Sequence, residues 1–199
     1  MMKSEDWFPT RIWFDDLQLD LNKLKYACLD LEREDPVGIA KSNKGGWQSE
    51  NNLTNRKSNS NTDKILQDLF KTIEKVVDES SIREEMGCPR KFILDNSWAN
   101  INRKGDFNMS HTHPHSDLSA CIYISCKDLQ SKIGFNSPKI HQKSYEWDYD
   151  KVHLNYETVY YDPIPGRILF FPSWLEHFAE PNNFDDPRIS IAMNFHSDR

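Results

Sequence analysis

No stretch of this chain is apolar over anything near the roughly 20 residues that a membrane-spanning helix needs, so none is expected. The opening residues, Met1-Met2-Lys3-Ser4-Glu5-Asp6, lack the apolar core of a secretory leader and carry two acids instead. Cysteine is scarce, and Cys28, Cys88, Cys121 and Cys126 show no C-x-x-C spacing. An even cysteine count reads as a disulfide framework in a small secreted chain. With 199 residues and no leader the expectation is reduced thiols in a cytoplasmic protein. Positive charge is also short: the net charge of -6 excludes general affinity for a nucleic-acid backbone, which needs a basic surface. No internal repeat is apparent. The length suits one domain with a sizeable core.

Two helices followed by strands are expected. The aromatic stretch Trp7 to Phe14 reads as an edge strand with Pro9 tolerated near its start. Leu17, Leu21, Leu24, Cys28 and Leu31 recur at steps of four and three, an amphipathic helix with Asp15 and Asp16 at its N-terminus and an end before Pro36. Residues 41–62 read as loop, with Trp47 burying its ring. Ile65, Leu66, Leu69, Phe70, Ile73, Val76 and Val77 form a second core-packing stripe. Beyond Gly87 and Pro89 the pattern turns strand-like: Phe92 to Asn102, Leu118 to Ser125, Val152 to Tyr161, Arg167 to Phe171 and Arg188 to Phe195. Short strands with turns between them predict a sandwich or barrel, here buttressed by helices. Lys127 to Asp150 is a hairpin excursion or a covering loop.

The most informative residues are His111-Thr112-His113. Residues two positions apart lie on one face of a regular strand, and imidazole is the commonest metal ligand in proteins. His115 would share that face only if the strand ran through Pro114, which lacks the N–H a ladder needs. Asp117 lies just past the turn, near enough to supply a carboxylate, and Leu118 to Ile124 reads as the return strand of a tight hairpin. The spacing superficially resembles a binuclear zinc motif, but the Asp and the last His are in the wrong order for it.

Downstream, His177 follows a buried strand and a Ser173-Trp174-Leu175-Glu176 corner. In the last strand Ile189, Ile191, Met193 and Phe195 share one face, while Arg188, Ser190, Ala192, Asn194 and His196 share the other. An arginine on an inward face needs an anionic partner, and its guanidinium matches a carboxylate in bidentate fashion. That partner is either an internal Asp or Glu, or an acidic ligand beside a histidine metal site. Ser190 can donate to the same carboxylate.

The chain resembles the Fe(II)/2-oxoglutarate-dependent oxygenase superfamily, and within it a family of oxygenases found in marine bacteria and phages. The resemblance runs through Ser42-Asn43-Lys44-Gly45-Gly46-Trp47-Gln48-Ser49, His111-Thr112-His113-Pro114 with Leu118-Ser119-Ala120-Cys121-Ile122-Tyr123, Phe171-Pro172-Ser173-Trp174-Leu175-Glu176-His177, and Arg188-Ile189-Ser190 through Asn194-Phe195. The last two blocks are the most specific. The resemblance implies a mainly β fold with flanking helices, a double-stranded β-helix of the jelly-roll or cupin-like kind. It implies a single oxygenase domain over 1–199, with helical support in 1–90 and the jelly-roll in 91–199. It also implies an Fe(II) centre with 2-oxoglutarate as co-substrate, and hydroxylation with release of succinate and CO2. His111 would take the first-ligand position and His177 the distal one. Arg188 and Ser190 would hold the far carboxylate of 2-oxoglutarate, with Tyr123 a further donor.

The sequence departs from the superfamily at His113, where a carboxylate usually completes two histidines. Either His111, His113 and His177 form a three-histidine site, or Asp117 turns in as the third ligand. A pair of His113 with Asp117, leaving His111 outside the metal's coordination, is also open. Two other functions compete: a non-catalytic cupin-like module that binds a small ligand, and a zinc hydrolase. The substrate is a small molecule or a peptide. Trp147, Tyr149, Tyr156, Tyr160 and Tyr161 either line its cleft or pack in the core, and core packing is the default.

Overall fold

The computed structural model describes residues 9–56, 60–127, 131–139 and 156–198. Trp7, Trp147, Tyr149, most of the segment from Lys127 to Asp150 and the first half of the expected strand from Val152 lie outside them.

Helix α1 spans Leu21–Glu34 and is capped by Asp20, whose side chain accepts from the Lys23 N–H. It starts later than the apolar spacing suggests, because Asp15 and Asp16 belong to a short strand, β1 (Trp13–Asp16). There the Asp16 carboxylate takes both ends of the Arg167 guanidinium, at 2.7 and 2.8 Å. Helix α2 spans Asn61–Glu79, with Ser60 accepting from the Asp63 N–H as its cap. A four-residue helix α3 (Ile82–Glu85) follows.

The strands form two antiparallel sheets. Residues read as loop supply β2 (Asn43–Lys44) and β3 (Trp47–Gln48). These flank Gly45, whose φ of +82° favours glycine, and they enter different sheets. Then come β4 (Phe92–Asn102), β5 (Phe107–His111), β6 (Leu118–Ser125), β7 (Ile133–Asn136), β8 (Thr158–Tyr161), β9 (Arg167–Pro172), β10 (His177–Ala179) and β11 (Arg188–Ser197). One sheet runs β1-β9-β6-β11-β4-β3 and the other β2-β5-β10-β7-β8. The architecture is a double-stranded β-helix.

The expected hairpin between the histidine strand and Leu118 does not form. β5 pairs with β2 and β10, whereas β6 pairs with β9 and β11 in the other sheet. The chain therefore crosses between sheets over residues 112–117.

Side-chain alternation divides the core. Ile122, Ile168, Phe170, Ile189, Ile191, Met193 and Phe195 face the helices, meeting Leu24, Leu31, Leu66 and Ile73. Cys121, Tyr123, Leu169 and Phe171 point the other way, toward Ile133 and Phe135 of the second sheet. Trp47 is buried, and its Nε1–H donates to the Asp35 carbonyl. Tyr161 packs on the inner cluster, while Tyr156 and Tyr160 are exposed. No helix among the described residues is long and apolar enough to cross a membrane.

Candidate metal and co-substrate site

The period-two pattern of β11 sets one wall. Its inward residues meet polar partners across the ladder: Ser190 lies opposite Asn100 on β4 and Tyr123 on β6, and Asn194 lies opposite Asn96 and Ser119. The opposite wall comes from the second sheet, where His111 and His177 are register partners at the ends of β5 and β10. β5 stops at His111, so His113 does not share a strand face with it; His113 reaches the same point from the crossing segment.

The three imidazoles converge. Their ring centroids lie 5.1 Å (His111–His113), 4.4 Å (His111–His177) and 4.9 Å (His113–His177) apart. Each offers a ring nitrogen within 4.8 Å of the others. His113 and His177 are 8% and 5% exposed.

Each ring uses Nδ1 to hold itself in place. His111 Nδ1–H donates to the Met109 carbonyl at 2.7 Å, and His177 Nδ1–H to the Leu175 carbonyl at 2.9 Å. His113 Nδ1 bonds to the Asn194 side-chain oxygen. A carbonyl can only accept, so Nδ1 carries the proton and Nε2 the lone pair, which at His111 has the Ser42 hydroxyl 3.5 Å away. Burial is the main cause that lowers all three pKa values, His113 to about 4 and His177 well below the ordinary range. Mutual repulsion of the charged forms adds to this for His113 and His177. At neutral pH the cluster is three uncharged imidazoles, the form in which histidine binds a metal.

Asp117 does not join them. Its carboxylate accepts from the Ser197 N–H at 2.7 Å, at the end of β11, and the residue is exposed. His115, with φ of +72°, is also turned to solvent. Among the described residues, the cluster of potential ligands is the three histidines.

Beside the cluster, a narrow cavity of about 50 Å³ has all three histidines on its wall, together with Arg188, Ser190 and Asn100. Arg188 is 2% exposed. No carboxylate among the described residues pairs with it, and its Nε has no hydrogen-bond partner. Its guanidinium carbon lies 5.2 Å from the centre of the Tyr123 ring. The Tyr123 hydroxyl, fully buried, is likewise unpartnered. Burial pushes this phenol far up, so it stays a neutral donor. An unpaired buried guanidinium is costly enough that the fold implies an anion there. The donor set suits a carboxylate, and the adjoining neutral imidazoles suit a divalent iron.

A wider cleft of about 540 Å³ opens over His111 and His113. Its walls combine the amides of Gln48, Asn51, Asn96 and Asn194, the Lys41 ammonium and the Asp95 carboxylate with the apolar surface of Trp98, Met109 and Pro114.

A jelly-roll with a histidine cluster at its mouth and a buried arginine below it defines a metal-dependent oxygenase that takes an acidic co-substrate. The sequence model of the family described as "Putative 2OG-Fe(II) oxygenase" matches residues 96–194, which contain every residue singled out above for metal or co-substrate. Over residues 96–194 the chain is an Fe(II)/2-oxoglutarate-dependent oxygenase by its family pattern, with Fe(II) as the metal and 2-oxoglutarate as the co-substrate. No curated protein matches it by sequence. Among solved structures it is similar to the α-ketoglutarate-dependent carbocyclase SnoK from nogalamycin biosynthesis (12% identity, 94% of this chain, 80% of that one, TM-score 0.65). It is also similar to a Trichoplax adhaerens prolyl hydroxylase in complex with a hypoxia inducible factor peptide fragment (10% identity, 94% and 83%, TM-score 0.65). A third is HygX from Streptomyces hygroscopicus, with nickel and 2-oxoglutarate bound (10% identity, 94% and 83%, TM-score 0.59). At such identities these likenesses speak for the fold.

The reading from sequence missed the polar residues that back the site. Gln48, Ser119 and Ser173 fall inside the blocks that carry the resemblance but were given no role there, and Asn100 lies outside them. They are placed by cross-strand register, which a single sequence does not display.

Proposed function

We propose that this chain is a hydroxylating dioxygenase in which His111, His113 and His177 hold Fe(II), and Arg188, Ser190 and Tyr123 hold 2-oxoglutarate. The observation that carries the reading is the buried Arg188 guanidinium, without a partner carboxylate, in one cavity with three neutral imidazoles. Iron and 2-oxoglutarate together supply the oxidising power: O2 is consumed, the co-substrate becomes succinate and CO2, and an oxygen atom is delivered to a C–H bond.

The chain's own residues bind, orient and exclude water. Arg188 and Ser190 fix the distal carboxylate, and the neutral Tyr123 phenol donates from below. Leu169 and Phe171 keep the inner layer dry. The amides, the Lys41 ammonium and the Asp95 carboxylate of the cleft beside Trp98 support a substrate with hydrogen-bonding groups, a small molecule or a peptide segment. The thiols of Cys28, Cys88 and Cys121, none of them in a disulfide, support a reducing, cytoplasmic setting.

The test is anaerobic titration of the Fe(II)-loaded protein with 2-oxoglutarate, following the visible metal-to-ligand charge-transfer band and the heat of binding. Arg188→Ala is expected to weaken 2-oxoglutarate about 100-fold or more while leaving metal affinity unchanged. Undiminished 2-oxoglutarate affinity in that variant would remove the assignment of Arg188. Succinate formation above the uncoupled rate then screens candidate substrates.

A further inference from the structure

His111 and His177 are each oriented by a backbone carbonyl two residues earlier, so their ring positions follow from the local backbone. His113 is held differently. Its Nδ1 partner is the side chain of Asn194, 81 residues away on the other sheet. We propose that a directional hydrogen-bond chain, Asp95–Asn96–Asn194–His113, is the positioning device of the site. It fixes His113 in the tautomer that leaves Nε2 free, and so lets an imidazole serve as the third ligand. The proposal rests on the reading of the three histidines as metal ligands.

The direction of the chain follows from proton counting. A carboxylate accepts only, so Asn96 turns its Nδ2 to Asp95 Oδ2 at 2.8 Å. Asn96 Oδ1 therefore faces Asn194 and accepts from its Nδ2 at 3.1 Å. That turns Asn194 Oδ1 toward His113, and an amide oxygen cannot donate, so His113 Nδ1 must carry the proton. The neighbouring hydroxyls agree. Ser119 spends its one proton on Asn194 Oδ1 at 2.8 Å. The Ser119–Ser173 contact at 2.7 Å then has Ser173 as donor. Ser119 Oγ, 3.2 Å from His113 Nδ1, has only lone pairs left to offer that ring. Every group that touches Nδ1 is an acceptor. Ser119 and Ser173 are fully buried and Asn194 and His113 nearly so, while the Asp95–Asn96 end of the chain is exposed on the wall of the wide cleft.

The ordinary carboxylate at this position needs no tautomer control, since either oxygen can bind. An imidazole presents one lone pair and one N–H, and in the wrong tautomer it would point a proton at the metal.

The test reads the tautomer directly in metal-free protein. Two-bond 1H–15N correlation spectra of histidine-labelled protein are expected to show His113 protonated at Nδ1 and bare at Nε2. Asn194→Leu is expected to convert His113 toward the Nε2–H tautomer, with His111 and His177 unchanged, and to weaken Co(II) binding 10- to 100-fold. Asn194→Asp keeps an acceptor at Nδ1 but sets its second oxygen against Asn96 Oδ1, so it should retain the Nδ1–H form of His113 while losing the link to Asn96. An Nε2–H ring at His113 in the unsubstituted protein overturns the proposal, and this measurement needs no variant to fold. So does a folded Asn194→Leu protein with tautomer and Co(II) affinity intact. His177→Ala separates the underlying reading: if Co(II) binds it as tightly as before, the histidines are not the metal site, whatever the tautomer of His113.

Discussion

Position 117 decides between two descriptions of the metal centre. Asp117 sits four residues from His113 in sequence, yet its carboxylate is committed to the Ser197 N–H, and its own N–H donates to the Phe195 carbonyl. It pins the end of β11. Asp117→Ala is therefore expected to leave metal affinity unchanged and to lower stability by about 1 kcal/mol, the net worth of one hydrogen bond. Metal titration and urea unfolding of the same preparation check both halves. A large loss of metal affinity would return Asp117 to the ligand set. His113 carries the opposite lesson. In sequence its credentials were proximity to His111 on a shared strand face. β5 ends before it, and convergence comes instead from the crossing segment, tied down where the His113 N–H donates to the Ser173 carbonyl.

Elements were legible where burial has a period. The stripe from Ile65 to Val77 is α2, and the inward and outward alternation of β11 is as its residues spell it. The strands Phe92–Asn102 and Leu118–Ser125 begin and end where the pattern changes. What stayed hidden is short or set by partners elsewhere. β2 and β3 are two residues each and exist because sheet neighbours complete their hydrogen bonds. The start of α1 was misjudged because acids near a helix N-terminus look alike whether they cap it or pair with an arginine on a neighbouring strand. The helices matter here as backing for the inner sheet. Leu66 is fully buried between α2 and that sheet. Leu66→Ala is expected to cost about 2–5 kcal/mol, measured by thermal or denaturant unfolding. Metal and 2-oxoglutarate affinities of the fraction that remains folded should be unaffected.

At the scale of the whole molecule, the histidine cluster ties stability to pH. An unfolded histidine takes up its proton near 6.5, whereas folded His113 does so only near 4, with His177 also well below the ordinary range. Between those values the unfolded chain binds more protons than the folded one, so stability rises with pH there. The metal-free protein is expected to be most stable above pH 6.5 and to weaken steadily as the pH falls toward 4. A series of melting temperatures across that span tests this, and a flat profile would contradict it. Bound metal adds stability according to its concentration over Kd, and it competes with the same protons, so the loaded protein should show a steeper acid loss.

The distribution of the site over two sheets has a mechanical consequence. His111 and His177 belong to the five-stranded sheet, and Arg188, Ser190 and Tyr123 to the six-stranded one. A molecule chelated at one end of the cavity and salt-bridged at the other braces one layer against the other. Amide hydrogens of β5 and β10 should exchange more slowly when 2-oxoglutarate joins the metal than with metal alone, and Arg188→Ala should abolish that added protection. With those residues as the binding set, the co-substrate is expected to stiffen the mouth of the barrel before any substrate arrives.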